Sequence, residues 1–344
     1  MRELTYAQAL SEGLCQSMER DPSIFVTGIA VDYPSGIFGS TTEAAKRFGP
    51  DRVFDAPAME NALTGIVIGA ASMGKRPVIV HARNDFMLLG FDNLINVAAK
   101  WRYMFHGRAG TLRLTVRSVI GKGWGQGATH SQSLQSTLAH FPGLTVVMPS
   151  FPHDAKALTI AALQHDGPVI ILEHRSLFAT KGPVAEEFEA APLGKAKIIR
   201  AGAHITIAAT SLMAYEALHA ADELARHGVE AEVIDIRSIR PLDEETIIAS
   251  VKKTGRLIVA DTSWELCGVS SEIAALAAEK AWHHLKAPVY RIALANCPAP
   301  VSAKLEEAFY PKASTIARAA LSVLGSDPSR IGDLSREDTF KGPY

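Results

Sequence analysis

The chain has 344 residues, 47% of them hydrophobic and 21% charged, with a formal net charge of -1. That length holds two ordinary domains, and the near-neutral balance points to neither a nucleic-acid surface nor an anionic membrane. No apolar run is long enough for a membrane span, and Cys15, Cys267 and Cys297 are odd in number and far apart, so a reducing, cytoplasmic setting is expected rather than a disulfide framework or zinc site.

The chain opens with a helix expected over 5–20, whose acids and lack of a central apolar block do not read as a signal peptide. A strand follows at 23–29 (SIFVTGI), then a strand-like run RVFDAP that Pro57 stops, and a helix over 60–73. Next come a strand at 76–82 (RPVIVHA), a helix over 91–104, a strand at 112–119 (LRLTVRSV) and a helix over 133–139. The half closes with a strand at 144–150, a helix over 153–165 and a strand at 168–174 (PVIILEH). These strands are short, β-branched and mostly apolar, as parallel strands buried on both faces are. Their alternation with helices predicts a parallel α/β sheet.

From 186 to 202 the chain reads EEFEAAPLGKAKIIRAG, acidic then basic, and a linker is expected there. A second α/β pattern then runs through strand 204–210, helix 212–227, strand 230–235, helix 243–253, strand 256–261, helix 268–284, strand 288–292 and a helix over 312–323. The reading is two α/β domains, 1–185 and 203–325, and a polar, turn-rich tail over 326–344.

Absent motifs narrow the chemistry. No G-x-G-x-x-G opens a helix after the first strand, and no G-x-x-x-x-G-K-[ST] occurs; GKGWGQG (121–127) lacks that spacing. A phosphate cradle built by this chain alone is therefore not expected. Neither a G-x-S-x-G elbow nor a His/Cys cluster is present, and no metal site is assigned to this chain.

Three polar or aromatic positions stand out. Glu60 precedes NALTGIVIGAASMG. It reads either as a first-turn acid complementing the helix dipole or as a buried carboxylate that needs a partner. His130, in GQGATHSQSLQSTLAHFPGL (125–144), reads singly as a loop histidine, with Ser131 or Ser133 capping the helix that follows and His140 structural. Phe86, in NDFMLLGFDNLINVAAKWRYM, reads singly as a core aromatic.

Taken together, RVFDAP..E, AAKWRYM, GATHSQS, FPGLTVVMPS, GPVIILEH and VIDIRSIRPLDEETIIASVKKTGRLIVADTSW stand in a specific order across nearly the whole chain. The chain resembles the β subunit of the E1 component of 2-oxo acid dehydrogenases, of the pyruvate, branched-chain and acetoin types, which shares its domain plan with transketolase. The resemblance implies a pyrimidine-binding domain for thiamine diphosphate followed by a transketolase C-terminal domain. It assigns Glu60 to N1′ of the cofactor's aminopyrimidine, favouring the imino form whose N4′ takes the C2 proton, with the small residues after Glu60 making room for the flat ring. Phe86 matches the aromatic that stacks on that ring, a contact worth about 0.5–1.5 kcal/mol beyond area burial. His130 matches the active-site histidine that binds the substrate carboxylate or manages protons, and Arg117 a family arginine near its strand end.

The superfamily's Mg²⁺ and diphosphate motif begins Gly-Asp-Gly, which this chain lacks. The resemblance places it on a separate α subunit, in a heterotetramer of two α and two β subunits that passes its acyl group to a lipoyl-bearing acyltransferase. Two stretches depart from the family. GIAV (28–31) stands where Gly-Glu-Asp is usual, so Ile29 replaces a glutamate near the cofactor, and HARN (81–84) stands where Glu-Ile-Gln-Phe is common. His81 and Arg83 end a strand at the edge where ligands gather. They point the same way by alternation, toward solvent or a subunit, or into the substrate channel, where an arginine favours a substrate with an extra anionic group. Two other functions fit less well: the C-terminal half of a split transketolase acting on sugar phosphates, and a non-catalytic scaffold, which needs none of Glu60, Phe86 and His130.

Overall fold

The computed structural model describes residues 2–122 and 125–334. Within them are two compact units, one of residues up to 122 with Thr129–Leu193, the other of residues 125–128 with those from Gly194 onward. Gly123 and Trp124 of the glycine-rich loop, and the tail from 335 to 344, lie outside the described residues.

The first unit runs β1 (Arg2–Thr5), α1 (Tyr6–Arg20), β2 (Ile24–Gly28), α2 (Thr42–Phe48), β3 (Val53–Asp55), α3 (Glu60–Ser72), β4 (Arg76–His81), α4 (Asn84–Met87) and α5 (Trp101–Met104). It continues through β5 (Thr115–Ile120), α6 (Gln135–Ala139), β6 (Thr145–Val147), α7 (Pro152–Gln164), β7 (Val169–His174) and β8 (Lys181–Val184). Strands β6-β7-β5-β4-β2-β3 lie side by side, all parallel. Every residue of β5 and β7 is buried, as the unbroken apolar runs predict. Thr5 and Gln8 close a capping box that starts α1, and α1 packs on α7.

The expected helix over 91–104 is not one α-helix. A 3-10 turn (Leu88–Gly90) and a π-helix (Asn93–Ala98) precede the short α5. Asn93 anchors this segment to α3, its Nδ2 donating to the Asn61 carbonyl at 2.9 Å, while Ala99 N–H reaches back to the Leu94 carbonyl. A π-turn of this kind takes up such an inserted contact.

The second unit runs β9 (Lys197–Arg200), β10 (Ile205–Ala209), α8 (Leu212–Arg226), β11 (Ala231–Asp235), β12 (Ser238–Arg240), α9 (Glu244–Thr254), β13 (Leu257–Trp264), α10 (Val269–Ala281), β14 (Tyr290–Leu294), α11 (Ala303–Phe309) and α12 (Ala313–Val323). Its sheet order is β14-β13-β10-β11-β9, parallel except for β9, which pairs antiparallel on the edge. Part of the expected linker is thus a strand, because KIIR can bond to β11 although its flanks are polar. Asp243 accepts the Thr246 N–H to start α9, and Gly255 ends it in the left-handed region. No helix among the described residues is long and apolar enough to cross a membrane.

Candidate active site

The carboxyl ends of β2 and β4 converge on one cavity. Gly28 ends β2 so close to β4 that a Cβ there would meet the Val80 carbonyl oxygen at 2.2 Å, so only glycine fits. The next turn is strained: Ala30 has φ +62°, and its N–H donates to Asp55 at the end of β3 at 2.5 Å. That clamp holds Ile29 against the cavity. Pro57 and Ala58 bring the chain to the start of α3. The cavity has a volume of about 230 Å³ and is lined by Gly28, Ile29, Pro57, Ala58, Glu60, Leu63, Val80, His81, Ala82 and Phe86.

Glu60 is the first residue of α3 and is 8% exposed. Both readings of it therefore hold, since it is a first-turn acid and a nearly buried one. Its carboxylate has no hydrogen bond or ion pair among the described residues, although its backbone carbonyl accepts the Thr64 hydroxyl at 2.6 Å. Asn61 Nδ2 donates to the Leu89 carbonyl at 3.0 Å, which ties this first turn to the segment that carries Phe86.

Phe86 forms one wall, and the His130 ring meets it edge-on, with centroids 5.2 Å apart and planes at 87°. His130 is held by its own neighbourhood. Thr129 Oγ1 lies 3.0 Å from its Nδ1, and Gln132 donates from Nε2 at 2.8 Å and from its backbone N–H at 3.4 Å to Asp85, beside Phe86. Asp85 was not foreseen as a site residue. An acid next to the stacking aromatic was the available signal.

His81, the last residue of β4, is buried, and its Nε2 has no partner among the described residues. Burial pushes its pKa down to about 4, so the ring is neutral at physiological pH. Glu60, His81 and Phe86 thus share the cavity, and His130 reaches it through Phe86.

Arg83 and Arg117 do not line it. β4 stops at His81, so strand alternation does not carry to Arg83, whose guanidinium lies over the Phe38 ring at 5.9 Å. Arg117 is fully buried. It donates to both oxygens of Glu173 at 2.5 and 2.9 Å and to the Ser40 hydroxyl at 2.8 Å, which fixes the loop after β2 to the sheet.

Two local expectations are corrected. The small residues of α3 do not make room for a ring. Leu63 and Glu60 face the cavity, whereas Ala62, Ile66, Gly69 and Met73, at helical spacing, are exposed on another face. Neither Ser131 nor Ser133 caps α6, because the helix starts two residues later and its N-cap is Leu134.

The site fits one end of thiamine diphosphate. Whole small-molecule sites occupy about 300–1,000 Å³, so this cavity suits a single ring rather than a complete cofactor. Its walls are apolar and one is aromatic, and the carboxylate awaiting a partner can meet a basic ring nitrogen. Among the described residues no group of three or more His, Cys, Asp or Glu side chains is placed to hold a metal ion.

Residues 2–181 match the family of transketolase pyrimidine-binding domains, and residues 194–316 the family of transketolase C-terminal domains. The acetoin:2,6-dichlorophenolindophenol oxidoreductase subunit beta of Cupriavidus necator is 40% identical, over 93% of this chain and 97% of its own. The mitochondrial pyruvate dehydrogenase E1 component subunit beta-2 of Oryza sativa subsp. japonica is 41% identical over 93% of this chain and 86% of its own. The 2-oxoisovalerate dehydrogenase subunit beta of Pseudomonas aeruginosa is 39% identical over 86% and 89%. A solved structure, "Split gene transketolase, inactive beta4 tetramer", covers 94% of this chain and 98% of its own with a TM-score of 0.75 at 21% identity, a likeness of fold alone. With two transketolase-type domains and relatives of this kind along nearly its whole length, the chain belongs to the family of 2-oxo acid dehydrogenase E1 β subunits.

Proposed function

We propose that this chain works with an α subunit as a thiamine diphosphate-dependent E1 that decarboxylates a 2-oxo acid and passes the acyl group to lipoamide. The observation that carries the reading is Glu60, a nearly buried carboxylate without a protein partner, opening a helix beside a ring-sized cavity that Phe86 walls. When bound, the cofactor supplies a carbanion-forming thiazolium and an electron sink. The chain's own residues do the rest. Glu60 holds a proton at N1′ of the pyrimidine, Phe86 fixes the plane of the ring, and the apolar walls keep water from the carboxylate. His130, edge-on to Phe86 and half-exposed, is placed to bind the substrate carboxylate or to move a proton near it. His81, neutral, borders the substrate side; Arg117 steadies that side through Ser40.

The diphosphate and Mg²⁺ belong to the α subunit in this reading, because this chain's sequence carries no Gly-Asp-Gly motif. The exposed stripe on α3 supports a partner there. Ile66 is 61% exposed and Met73 84%, on a face that also carries Ala62 and Gly69, and apolar faces of this kind mark interfaces. The assembly is a cytoplasmic heterotetramer of two α and two β subunits served by a lipoyl-bearing acyltransferase. Glu60→Gln keeps the size of the side chain but not its protonic role. In the reconstituted enzyme it is expected to leave less than about 1% of turnover with the fold intact by circular dichroism. Retention of a tenth of the activity or more rejects the assignment.

A further inference from the structure

The loop that carries His130 has little stiffness of its own. It leaves β5 as GKGWGQG, with glycine at every second position from 121 to 127, and glycine gives a backbone its widest freedom. Gly121 itself sits at φ +83°. Residues 131–134, after His130, are neither helix nor strand. The ring's own contacts are the Phe86 ring and the hydroxyl of Thr129, which rides on the same loop. Such contacts do not by themselves hold a group in one place.

What fixes the loop is its return limb. Gly121 N–H donates to the Gln132 carbonyl at 3.3 Å, which closes the loop at its base. Gln132 then donates twice to one atom, Oδ1 of Asp85, from Nε2 at 2.8 Å and from its backbone N–H at 3.4 Å. A carboxylate oxygen accepts two donors, and its charge strengthens both bonds. Gln132 stands two residues after His130, and Asp85 stands next to Phe86. One short segment, α4, thus supplies both the aromatic that the His130 ring meets edge-on and the acceptor that holds the chain beyond it. That segment is itself anchored. Phe86 N–H donates to the Arg83 carbonyl at 3.2 Å, and the Leu89 carbonyl accepts Asn61 Nδ2 from the first turn of α3, beside Glu60. Oδ2 of Asp85 is buried with no partner among the described residues. A half-satisfied acid costs stability where it stands, and the placing of His130 gives it a reason to be there.

We propose that Asp85 is a positioning residue, which through Gln132 holds His130 edge-on to Phe86 beside the cavity. The proposal rests on the function proposed above and adds a residue to its machinery. Asp85 is not among the residues that line the cavity; it acts by fixing where His130 stands. Binding a carboxylate or moving a proton is steep in distance, and a misplacement of about 1 Å costs about a hundredfold in rate. Loss of the tie leaves Glu60 and Phe86 where they are and lets His130 move with its loop.

The test uses the enzyme reconstituted with its α subunit. Asp85→Ala should lower kcat/KM by about 10–100-fold while C2-proton exchange on the bound cofactor keeps its wild-type rate. Asp85→Asn keeps Oδ1 as an acceptor and should recover most of the loss. Gln132→Ala breaks the tie from the other side and should match Asp85→Ala. Added to His130→Ala, Asp85→Ala should cost no more than about twofold further, because the group it places is already gone. Losses that multiply, or an Asn variant as poor as the Ala variant, overturn the proposal. A second measurement needs no turnover. In the full chain, the ring-proton NMR signals of His130, assigned by their loss in His130→Gln, feel the ring current of Phe86 and should move in Phe86→Leu. Asp85→Ala and Gln132→Ala should move them toward the same position, and Asp85→Asn should not. Signals that stay in place in both Ala variants overturn the proposal. Signals displaced as expected in an enzyme that turns over no 2-oxo acid count against the enzyme reading and not against the positioning.

Discussion

Glu60 is a balance of unequal terms. Taking a carboxylate out of water costs several kcal/mol, whereas the dipole of α3 returns only about 0.3–1 kcal/mol. Its carboxylate borders the cavity with no partner among the described residues, which is why the residue reads as functional once its surroundings are seen. His130 stands outside that balance. His130→Ala should spare cofactor affinity and lower turnover by about 10²–10⁴, measured against C2-proton exchange on the same enzyme. If exchange slows as much as turnover, His130 acts earlier than assigned. His81 gives a pH signature. Its folded-state value of about 4 lies below its ordinary 6.5, so between those values the unfolded chain binds a proton that the folded chain refuses. Stability from the neutral ring is complete above pH 6.5 and is lost as pH falls toward 4, by about 1.4 kcal/mol per pH unit. Denaturant melts of His81→Gln and wild type should diverge in slope over that window, and parallel curves reject a buried neutral imidazole. Much of this site was legible in the sequence. Glu60 is an acid in an apolar run, and Phe86 and His130 stand in quotable motifs. Arg83 was less so, because alternation ends with the strand at His81.

At the scale of elements, strands were the most readable parts, because burial on both faces leaves them unbroken apolar runs. Boundaries of β2, β4, β7 and α3 fall within a residue or two of the periodicity. Elements held by edge pairing or by single contacts were not visible: among the described residues β1 and β8 pair only with each other, and Asn93 anchors to α3 a segment that turns from a regular helix into a π-helix. The small residues of α3 show how composition misleads. They suggested space for a ring, yet Gly69 meets nothing within 4 Å at its Cβ position. A close-packing face open to solvent belongs to an interface. Ile66→Glu on that face should therefore leave the melting of the lone chain nearly unchanged, within about 0.5 kcal/mol, and shift the complex with the α subunit toward free chains on size-exclusion chromatography. A variant complex as stable as wild type places the partner on another surface.

For the whole molecule, two parallel-sheet units followed from alternation alone. The cavity, which only the structure shows, has the size of a single ring, and the sequence carries no Gly-Asp-Gly motif. Together they make the central claim that this chain holds one end of thiamine diphosphate and depends on another chain for the other end. The direct measurement is a calorimetric titration of Mg²⁺-thiamine diphosphate into the full chain alone and into the chain assembled with its α subunit. The account predicts weak or undetectable binding to the lone chain and a gain of about a hundredfold or more on assembly, removed by Glu60→Gln only in part. Tight, Mg²⁺-dependent binding to the lone chain would contradict it.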